Sequence, residues 1–251
     1  MALIDTEINQ VVLYLGSGIT GLILLSWLSR RVGKGIKKRF FAWLMDRSCK
    51  AMYKQVRNEK AILFDSMTGL RDKLNRDLVI CEIGSGNGMN FKHYPRGSKL
   101  ICVEPNQYTI SYLEENIRDR NPSLTLKEFI CGFAENMPGI DDGSVDVVVC
   151  TLVLCSVKSQ KEVLSEVLRI LRPDGQFYFM EHVADRPGTF LRKMQNWFTP
   201  AWEFVVDRCR LNNDARAALD EAGFTSVRIT DFKYPTWFLL LKPWIYGVAT
   251  K

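Results

Sequence analysis

Glycines and acidic side chains recur along this sequence at positions that could hold a small polar ligand. Glu82 lies inside a short apolar segment that ends at Ile83, and Gly84-Ser85-Gly86-Asn87-Gly88 follows directly. Glycines at this spacing allow a sharp backbone turn and let a ligand approach with no Cβ atom in the way. A carboxylate beside such a loop suits a cationic α-amino group, so Glu82 is a candidate binding residue.

Two further carboxylates follow later apolar segments. Glu104 comes directly after residues 99–103 and twenty residues beyond Gly84, where an acid accepts hydrogen bonds from ribose hydroxyls. Glu135 follows residues 124–131, where an adenine amino group would need an acceptor. Each acid alone would be interpreted as a solvated loop carboxylate. Together, and in this order, they indicate one ligand site at the ends of successive strands.

The elements that must position these residues can be read from the apolar runs. The predicted elements are strands at 78–83, 99–103, 124–131, 145–150 and 176–181, a helix at 161–171, a turn at 172–175, and candidate sixth and seventh strands at 226–232 and 244–250. Asn90 and Phe91 are predicted to open a helix directly after the glycine loop. Strands alternating with helices predict a doubly wound α/β sheet, which binds ligands at the carboxyl ends of its strands. The loop reads GxGxG, because Met89 follows Gly88, and so departs from the dinucleotide pattern GxGxxG.

The positive charge of the chain is confined to its N-terminal part. Residues 1–60 contain eleven Lys and Arg against four acids, a net of +7, whereas residues 61–251 contain 23 against 24. A nucleic-acid-binding domain usually carries positive charge on its folded surface. This distribution therefore argues against nucleic acid as a partner and favours contact with a membrane surface.

An uncharged segment near the N-terminus predicts a membrane anchor. The 22 residues from Ile8 to Ser29 contain no charge, and as a helix they would extend about 33 Å, enough for a bilayer core of about 30 Å. Acidic Asp5 and Glu7 precede the segment and a basic run begins at Arg30, so an uncleaved anchor with a cytosolic domain is expected. The alternatives are a buried core helix or a segment lying in one leaflet. The predicted division is an anchor at 1–30, a basic amphipathic segment at 31–60 and a catalytic domain at 61–251.

The basic segment has a helical pattern with two interpretations. Apolar residues at 36, 40, 44, 52 and 56 follow helical spacing, and Lys and Arg occupy much of the remainder. Such a helix can lie on an anionic membrane surface. It can equally pack its apolar side on the domain, and periodicity alone does not separate the two.

The seven cysteines give no sign of a metal site or a disulfide framework. They are odd in number, scattered, and include no CxxC pair. Several lie in apolar runs, where cysteine behaves as a small buried apolar residue. The expectation is free thiols in a reducing compartment, and no metal.

Several motifs together resemble those of the class I, Rossmann-like methyltransferases. They are Glu82–Gly88, Val103-Glu-Pro-Asn106, Ala134-Glu135 and Gly143–Cys150. More narrowly, the segments 148–157, 167–173 and 181–184 resemble the methyltransferase-like protein 7 family, membrane-bound thiol S-methyltransferases of the endoplasmic reticulum and lipid droplets. The resemblance runs from about residue 40 to the C-terminus. It departs at Glu104, where that family commonly has Asp, and at Asp207-Arg-Cys-Arg210, where the family pattern is DGCC.

This resemblance implies a fold, a cofactor and site residues. The fold would be a seven-stranded, mostly parallel sheet of order 3-2-1-4-5-7-6 with an antiparallel last strand and helices on both faces, joined to the N-terminal membrane helix. The cofactor would be S-adenosylmethionine. Its expected binding residues are Glu82, Gly84, Ser85, Gly86, Asn87, Gly88, Glu104, Pro105, Asn106, Ala134, Glu135, Thr151 and Leu152.

The resemblance also implies an acceptor, a small lipophilic alkyl thiol methylated at a membrane. His182, just after the fifth strand, is a candidate general base, the alternative being a structural histidine. Residues 190–209 are rich in large apolar side chains and are predicted to form a helical lid, which could line an acceptor pocket, dip into the bilayer or simply pack in the core. Two other functions stay open. One is methylation of an oxygen or carbon of a lipid or quinone, and the other is a non-catalytic, membrane-anchored S-adenosylmethionine-binding module.

Overall fold

The computed structural model describes residues 34–206 and 208–251, which contain a seven-stranded sheet of order β3-β2-β1-β4-β5-β7-β6. The strands are β1 Val79–Ile83, β2 Lys99–Val103, β3 Thr125–Ile130, β4 Val145–Thr151, β5 Leu171–His182, β6 Ser226–Lys233 and β7 Pro243–Thr250. The first five strands pair in parallel, and β7 runs antiparallel to both β5 and β6. The expected strand order is confirmed.

Six α-helices accompany the sheet in the described residues. They are α1 Lys34–Gln55, α2 Arg57–Leu74, α3 Ile110–Arg120, α4 Gln160–Ile170, α5 Phe190–Val205 and α6 Ala215–Glu221. The predicted helix at 161–171 corresponds to α4, and the predicted lid corresponds to α5 and the segment after it.

The central strands are apolar throughout because both of their faces are covered. Every residue of β4 from Val145 to Cys150 is buried, as expected for a parallel sheet with helices on both sides. Alternate residues enter two separate cores. Val148 packs in the core on one face of the sheet, and Val147 and Val149 pack in the core on the other.

The connection between β1 and β2 differs from the expectation. The predicted helix after the glycine loop is wrong, because the structure has only a 3₁₀ turn at Phe91–His93. Tyr94 then adopts an extended conformation ahead of Pro95. A residue before proline avoids the helical region, so the chain cannot continue a helix and enters β2 a few residues later.

The predicted turn at 172–175 forms an irregularity within β5. Val145 pairs with Leu171 and Val147 with Gln176, so the residues between Leu171 and Gln176 bulge out of register. Asp174 adopts a left-handed φ of 61° inside this bulge. The predicted strand at 176–181 therefore lies within the longer β5.

Helix α1 packs on the domain along one side and is exposed along another. Ala42, Asp46 and Tyr53 are buried, whereas Ile36 and Trp43 are exposed. The packing interpretation of the basic segment is therefore correct for part of the helix, and α2 runs across the predicted boundary at residue 60. The predicted anchor at 8–29 lies outside the described residues. Within residues 34–206 and 208–251, no helix has the length and apolar character needed to cross a bilayer.

Candidate functional site

The three glycines of the loop all have left-handed backbone conformations but serve different purposes. The φ angles are 61° at Gly84, 51° at Gly86 and 75° at Gly88. A Cβ atom at Gly84 would lie 2.3 Å from Val153, and one at Gly88 would lie 2.3 Å from Phe91. At Gly86 the nearest atom would be a backbone oxygen 3.9 Å away. Packing therefore requires Gly84 and Gly88, while Gly86 borders open space that a ligand can enter.

Glu104 connects the end of β2 to this loop. Its two carboxylate oxygens accept hydrogen bonds from the backbone N–H groups of Gly86 and Asn106, each at 3.0 Å. The side chain is largely buried. The structure thus brings the predicted ribose acceptor directly beside the open glycine.

Glu82 lies beneath the loop in a buried polar network. One carboxylate oxygen accepts a hydrogen bond from Asn90 Nδ2 at 2.8 Å, and the other accepts one from the Tyr94 hydroxyl at 2.5 Å. Asn90 also donates to Thr151 Oγ1 at 3.0 Å and accepts from Lys60 Nζ at 2.7 Å. Burial raises the pKa of Glu82 to about 7 and lowers the pKa of Lys60 to about 8.

Three members of this network, Lys60, Asn90 and Tyr94, were missed as site residues. Asn90 had been assigned only to the start of a helix, and Lys60 to the basic segment. A carboxylate in the middle of an apolar strand requires buried partners, which was the available signal. Nothing in the sequence identifies those partners.

Asn87 and Asn106 join the site to helix α1. Asn87 Nδ2 donates to Asp46 Oδ1 at 2.8 Å, and Asn106 Nδ2 donates to the backbone oxygen of Lys38 at 3.0 Å. The Lys38 ammonium in turn donates to the Pro105 oxygen at 3.3 Å. The helix thus lies across both loops of the site, and Ser85 in the glycine loop is buried.

The loops after β3 and β4 meet beside the glycine loop. Glu135 accepts a hydrogen bond from the backbone N–H of Lys158 at 2.7 Å, and Ala134 is buried next to it. Leu152 has a left-handed φ of 60°, which is uncommon for a residue with a branched side chain. This strained turn aims the next residue, Val153, at Gly84. Ala134, Glu135, Thr151 and Leu152 therefore lie at the same edge of the sheet as the glycine loop.

His182 ends β5 and is buried against two cysteines. Its Nε2 lies 3.1 Å from Cys209 Sγ, and the sulfurs of Cys209 and Cys155 are 3.6 Å apart. The hydrogen bond with Cys155 and the neighbouring His182 lower the pKa of Cys209 to about 4. Burial favours the neutral form of His182, but Cys209 outweighs it and raises the pKa of the imidazole. The role of His182 as a general base stays a prediction.

Glu181 anchors the turn that precedes Cys155. Its Oε1 accepts hydrogen bonds from the backbone N–H groups of Val153 and Leu154, at 2.8 and 3.0 Å. The residue is fully buried, and burial raises its pKa to about 7. Glu181 Oε2 and His182 Nδ1 are buried without a hydrogen-bond partner among the described residues. Glu181, Cys155 and Cys209 were missed by the sequence analysis as site residues.

An exposed aromatic surface lies on α5 and the loop between β6 and β7. Phe190, Trp197 and Phe204 are each about three-quarters exposed, and Trp237 is two-thirds exposed. Trp202 is instead partly buried and stacks on Phe238 with ring centroids 5.2 Å apart. Core packing therefore accounts for only part of the apolar content of the predicted lid.

Comparison with known proteins decides the family. A family model for a methyltransferase domain matches residues 81–179. Human thiol S-methyltransferase TMT1A is 39% identical over 216 residues, which cover 86% of this chain and 88% of the relative. The chain belongs to the thiol S-methyltransferase family. The resemblance drawn from its motifs is thereby confirmed, and the chain is an S-adenosylmethionine-dependent methyltransferase.

Two solved structures share the fold at low sequence identity. A putative O-methyltransferase from Nostoc punctiforme gives a TM-score of 0.59 at 16% identity, covering 97% of this chain and 72% of the other. The 1,6-didemethyltoxoflavin-N1-methyltransferase of Burkholderia thailandensis, solved with S-adenosylhomocysteine, gives 0.53 at 16% identity, covering 88% and 91%. Both support the Rossmann-like methyltransferase architecture of this family member.

The site of this family member fits S-adenosylmethionine. Gly86 leaves open space at the loop, and the Glu104 carboxylate lies directly beside it to accept from hydroxyl groups. Glu135 lies at the neighbouring loop, where an acceptor for an amino group was expected. The individual contacts with the cofactor stay predictions.

Proposed function

We propose that this chain methylates the sulfur of small lipophilic thiols at the cytosolic surface of a membrane of the endoplasmic reticulum or of a lipid droplet. The observation that carries the thiol assignment is the 39% identity with a thiol S-methyltransferase over 86% of the chain. The glycine loop and the acids are expected to contact only the cofactor. The assignment of sulfur as the acceptor atom therefore depends on this relationship.

Positioning is the main contribution that the protein makes to such a reaction. S-adenosylmethionine supplies a methyl group on a sulfonium, which a thiolate attacks in line. Holding two reactants in near-attack geometry lowers a barrier by up to about 7–11 kcal/mol. In this chain the Glu104 carboxylate and the open position at Gly86 would hold the cofactor at the ends of β1 and β2. The turn fixed by Glu181 places the loop after β4 beside them.

A thiol acceptor needs little help from a general base. A thiol with a pKa of about 8.5 is already a few per cent ionised at neutral pH. Cys150, Glu181 and His182 near the ends of β4 and β5 are buried, which limits the access of water to this part of the site. Exclusion of water protects the activated methyl group from hydrolysis.

The preference for lipophilic acceptors and the membrane location rest on surface composition. Phe190, Trp197, Phe204 and Trp237 expose large apolar side chains that a lipid interface would cover. On α1, Trp43 is exposed beneath the Arg47 guanidinium, which lies 4.9 Å from the ring centroid. Arg and Trp side by side on a helix are typical of the boundary between headgroups and acyl chains. The uncharged residues 8–29 would anchor the chain beside that surface.

The test is methyl transfer from labelled S-adenosylmethionine to a small alkyl thiol by the detergent-solubilised full chain. A Gly86→Arg variant is the matched inactive control, because a long side chain would fill the open space at the loop. We expect methyl thioether from the wild type alone, with faster turnover of lipophilic than of polar thiols.

Other outcomes would redirect the assignment. Turnover of phenolic lipids without turnover of thiols would replace sulfur by oxygen as the acceptor atom. Cofactor binding by calorimetry without product from any acceptor would indicate a binding module. Equal turnover of polar and lipophilic thiols would contradict the lipophilic preference while leaving the thiol assignment intact.

A further inference from the structure

Three side chains with metal-binding atoms meet at the carboxyl ends of β4 and β5. Cys155 follows β4, His182 is the last residue of β5 and Cys209 follows α5. Their ligand atoms all lie within 4.8 Å of one another, and all three residues are buried. The members are 27 residues apart in sequence, so the fold assembles them and no short motif announces them.

Two separations in this group can be compared with one face of a zinc tetrahedron. The sulfur–sulfur distance agrees, and the sulfur–nitrogen distance is about 0.5 Å shorter than zinc requires. Zinc binds cysteine sulfur at about 2.3 Å and histidine nitrogen at about 2.0–2.1 Å, which places two sulfurs about 3.8 Å apart and a sulfur and a nitrogen about 3.6 Å apart. The observed separations are 3.6 Å between the sulfurs and 3.1 Å between Cys209 Sγ and His182 Nε2. A disulfide would instead need about 2.05 Å.

We propose that Cys155, His182 and Cys209 bind a zinc ion whose fourth position is open to the thiolate of the methyl acceptor. In the described residues the group contributes three ligands, and three protein ligands with one open position are the pattern of catalytic rather than structural zinc. The proposed function underlies the second half of this proposal, since only a thiol-methylating enzyme needs a thiolate there. The proposal departs from the expectation of no metal that was drawn from the cysteine spacing.

The position of the group connects it to the cofactor loop. Val153 packs against the Cα of Gly84, and Glu181 holds the N–H groups of Val153 and Leu154 directly before Cys155. One short turn therefore contacts the glycine loop at one end and carries a zinc ligand at the other. Ligands of open α/β sheets bind at this edge, so an acceptor on the zinc and the cofactor would be neighbours.

The chemistry at the open position is the addition of the acceptor sulfur as a fourth ligand. The acceptor thiol releases its proton to solvent as its sulfur donates an electron pair to zinc, and no electron transfer occurs. His182 acts here as a ligand, and a general base is not required because the bound thiol has already lost its proton. After methylation the sulfur is a neutral thioether, a poorer ligand than a thiolate, and the product can leave.

The first experiment is metal analysis of the full chain, purified under reducing conditions and equilibrated with zinc. We expect about one zinc per chain in the wild type, as for other sites of this kind. Cys155→Ser and Cys209→Ser should each lower the zinc content at least tenfold, while the matched Cys131→Ser variant, an exposed cysteine outside the group, should retain it. Wild-type protein that takes up no zinc, or that contains a Cys155–Cys209 disulfide under reducing conditions, would overturn the proposal.

Cobalt substitution tests the open position independently of activity. Cobalt in the wild type should show thiolate charge-transfer absorption that gains intensity when an alkyl thiol is added and is weakened in Cys209→Ser. An absorption spectrum that does not change when the thiol is added would contradict the proposal that the acceptor binds the metal. Thiol methylation without any bound zinc would end the zinc proposal but leave the proposed function standing. Bound zinc with methylation of a non-thiol acceptor would end the proposed function and the acceptor role, and keep only the metal site.

Discussion

The ligand-binding edge has a cofactor end, around Gly86 and Glu104, and a proposed acceptor end, around Cys155, His182 and Cys209. The two ends are built in different ways. At the cofactor end, the loop N–H of Gly86 and the N–H of Asn106 both donate to one carboxylate, Glu104. At the acceptor end, buried side chains face one another, and atoms of Glu181 and His182 have no hydrogen-bond partner among the described residues. The first end is held mainly by backbone hydrogen bonds to one acid, and only Ser85 Oγ is buried there without a partner among the described residues. The second end depends on side chains, and Glu181 Oε2 and His182 Nδ1 are left for a ligand to satisfy.

The cofactor end needs few particular side chains, whereas the proposed acceptor end needs several. A backbone loop bonded to a carboxylate depends little on side-chain identity outside the glycines and the acid. A group of two cysteines and a histidine depends on three particular side chains. We therefore expect substitutions at the cofactor end to affect all acceptors equally, and substitutions at the acceptor end to affect them selectively.

The largest expected effect is that of Gly86→Asn at the cofactor end. Asparagine tolerates the left-handed conformation, so the variant should fold, but its side chain fills the open space. Activity should fall about a hundredfold or more, as for misplacement of a reactant by about 1 Å. The measurement is the methylation rate beside the thermal midpoint, with Gly88→Asn as the matched variant. The thermal midpoint of Gly88→Asn should fall more than that of Gly86→Asn, because the added Cβ would lie 2.3 Å from Phe91. Equal stability losses in both variants would contradict the distinction.

Glu104→Gln should come next in size. The carboxylate is the predicted acceptor for the ribose hydroxyls of the cofactor, and hydrogen bonds to a charged group contribute about 1.5–3 kcal/mol. The cofactor Kd should rise by roughly ten- to a hundredfold, since each 1.4 kcal/mol is a factor of ten. The KM for the thiol should stay within error of the wild type. Calorimetry with S-adenosylhomocysteine measures the cofactor Kd, and steady-state kinetics measure the KM for the thiol. A matching rise in the KM for the thiol would contradict the separation of the two ends.

The same contrast explains how much the sequence could reveal. Glu82, the glycine loop and Glu104 follow apolar strands in order, and strand ends of a parallel sheet share one edge. Cofactor-end residues were therefore predictable from local patterns, as was the strand order once the family was recognised. The 3₁₀ turn in place of a helix was also written in the sequence, in Pro95, but was outweighed by the familiar strand–loop–helix pattern.

The acceptor end was not predictable for a physical reason. Cys155, His182 and Cys209 come together only because β4 and β5 are neighbours and α5 returns the chain over their ends. Scattered cysteines in apolar runs are ordinary core residues in most proteins, so their spacing pointed away from a metal. The contact of Asp46 with Asn87 was equally hidden, because it depends on how α1 crosses the loops.

Trp197→Ala should have a smaller and selective effect at the acceptor end. The ring is 74% exposed, so its removal should leave the thermal midpoint unchanged. If the ring contacts lipid or lipophilic acceptors, losing part of its apolar area lowers the apparent affinity about fivefold, or roughly 1 kcal/mol at about 25 cal/mol per Å². The KM for a long-chain alkyl thiol in the presence of vesicles measures this, with a short polar thiol as the internal control. A similar change in KM for both thiols would show that the exposed aromatic surface does not select between acceptors.

The smallest effect concerns His93, beneath the cofactor end. Its Nε2 lies 2.7 Å from the Tyr53 hydroxyl, and burial with nearby Lys92 and Lys60 lowers its pKa to about 4. Between pH 6.5 and 4 the unfolded chain binds the proton and the folded protein does not, so stability falls as the pH falls through this window. The wild type should therefore lose about 1 kcal/mol more than His93→Gln between pH 7.5 and 5, after screening at this partly exposed ring. Urea unfolding at the two pH values gives the difference. A wild type that loses no more than the variant would mean that the ring is already protonated, or equally solvated, in the folded protein.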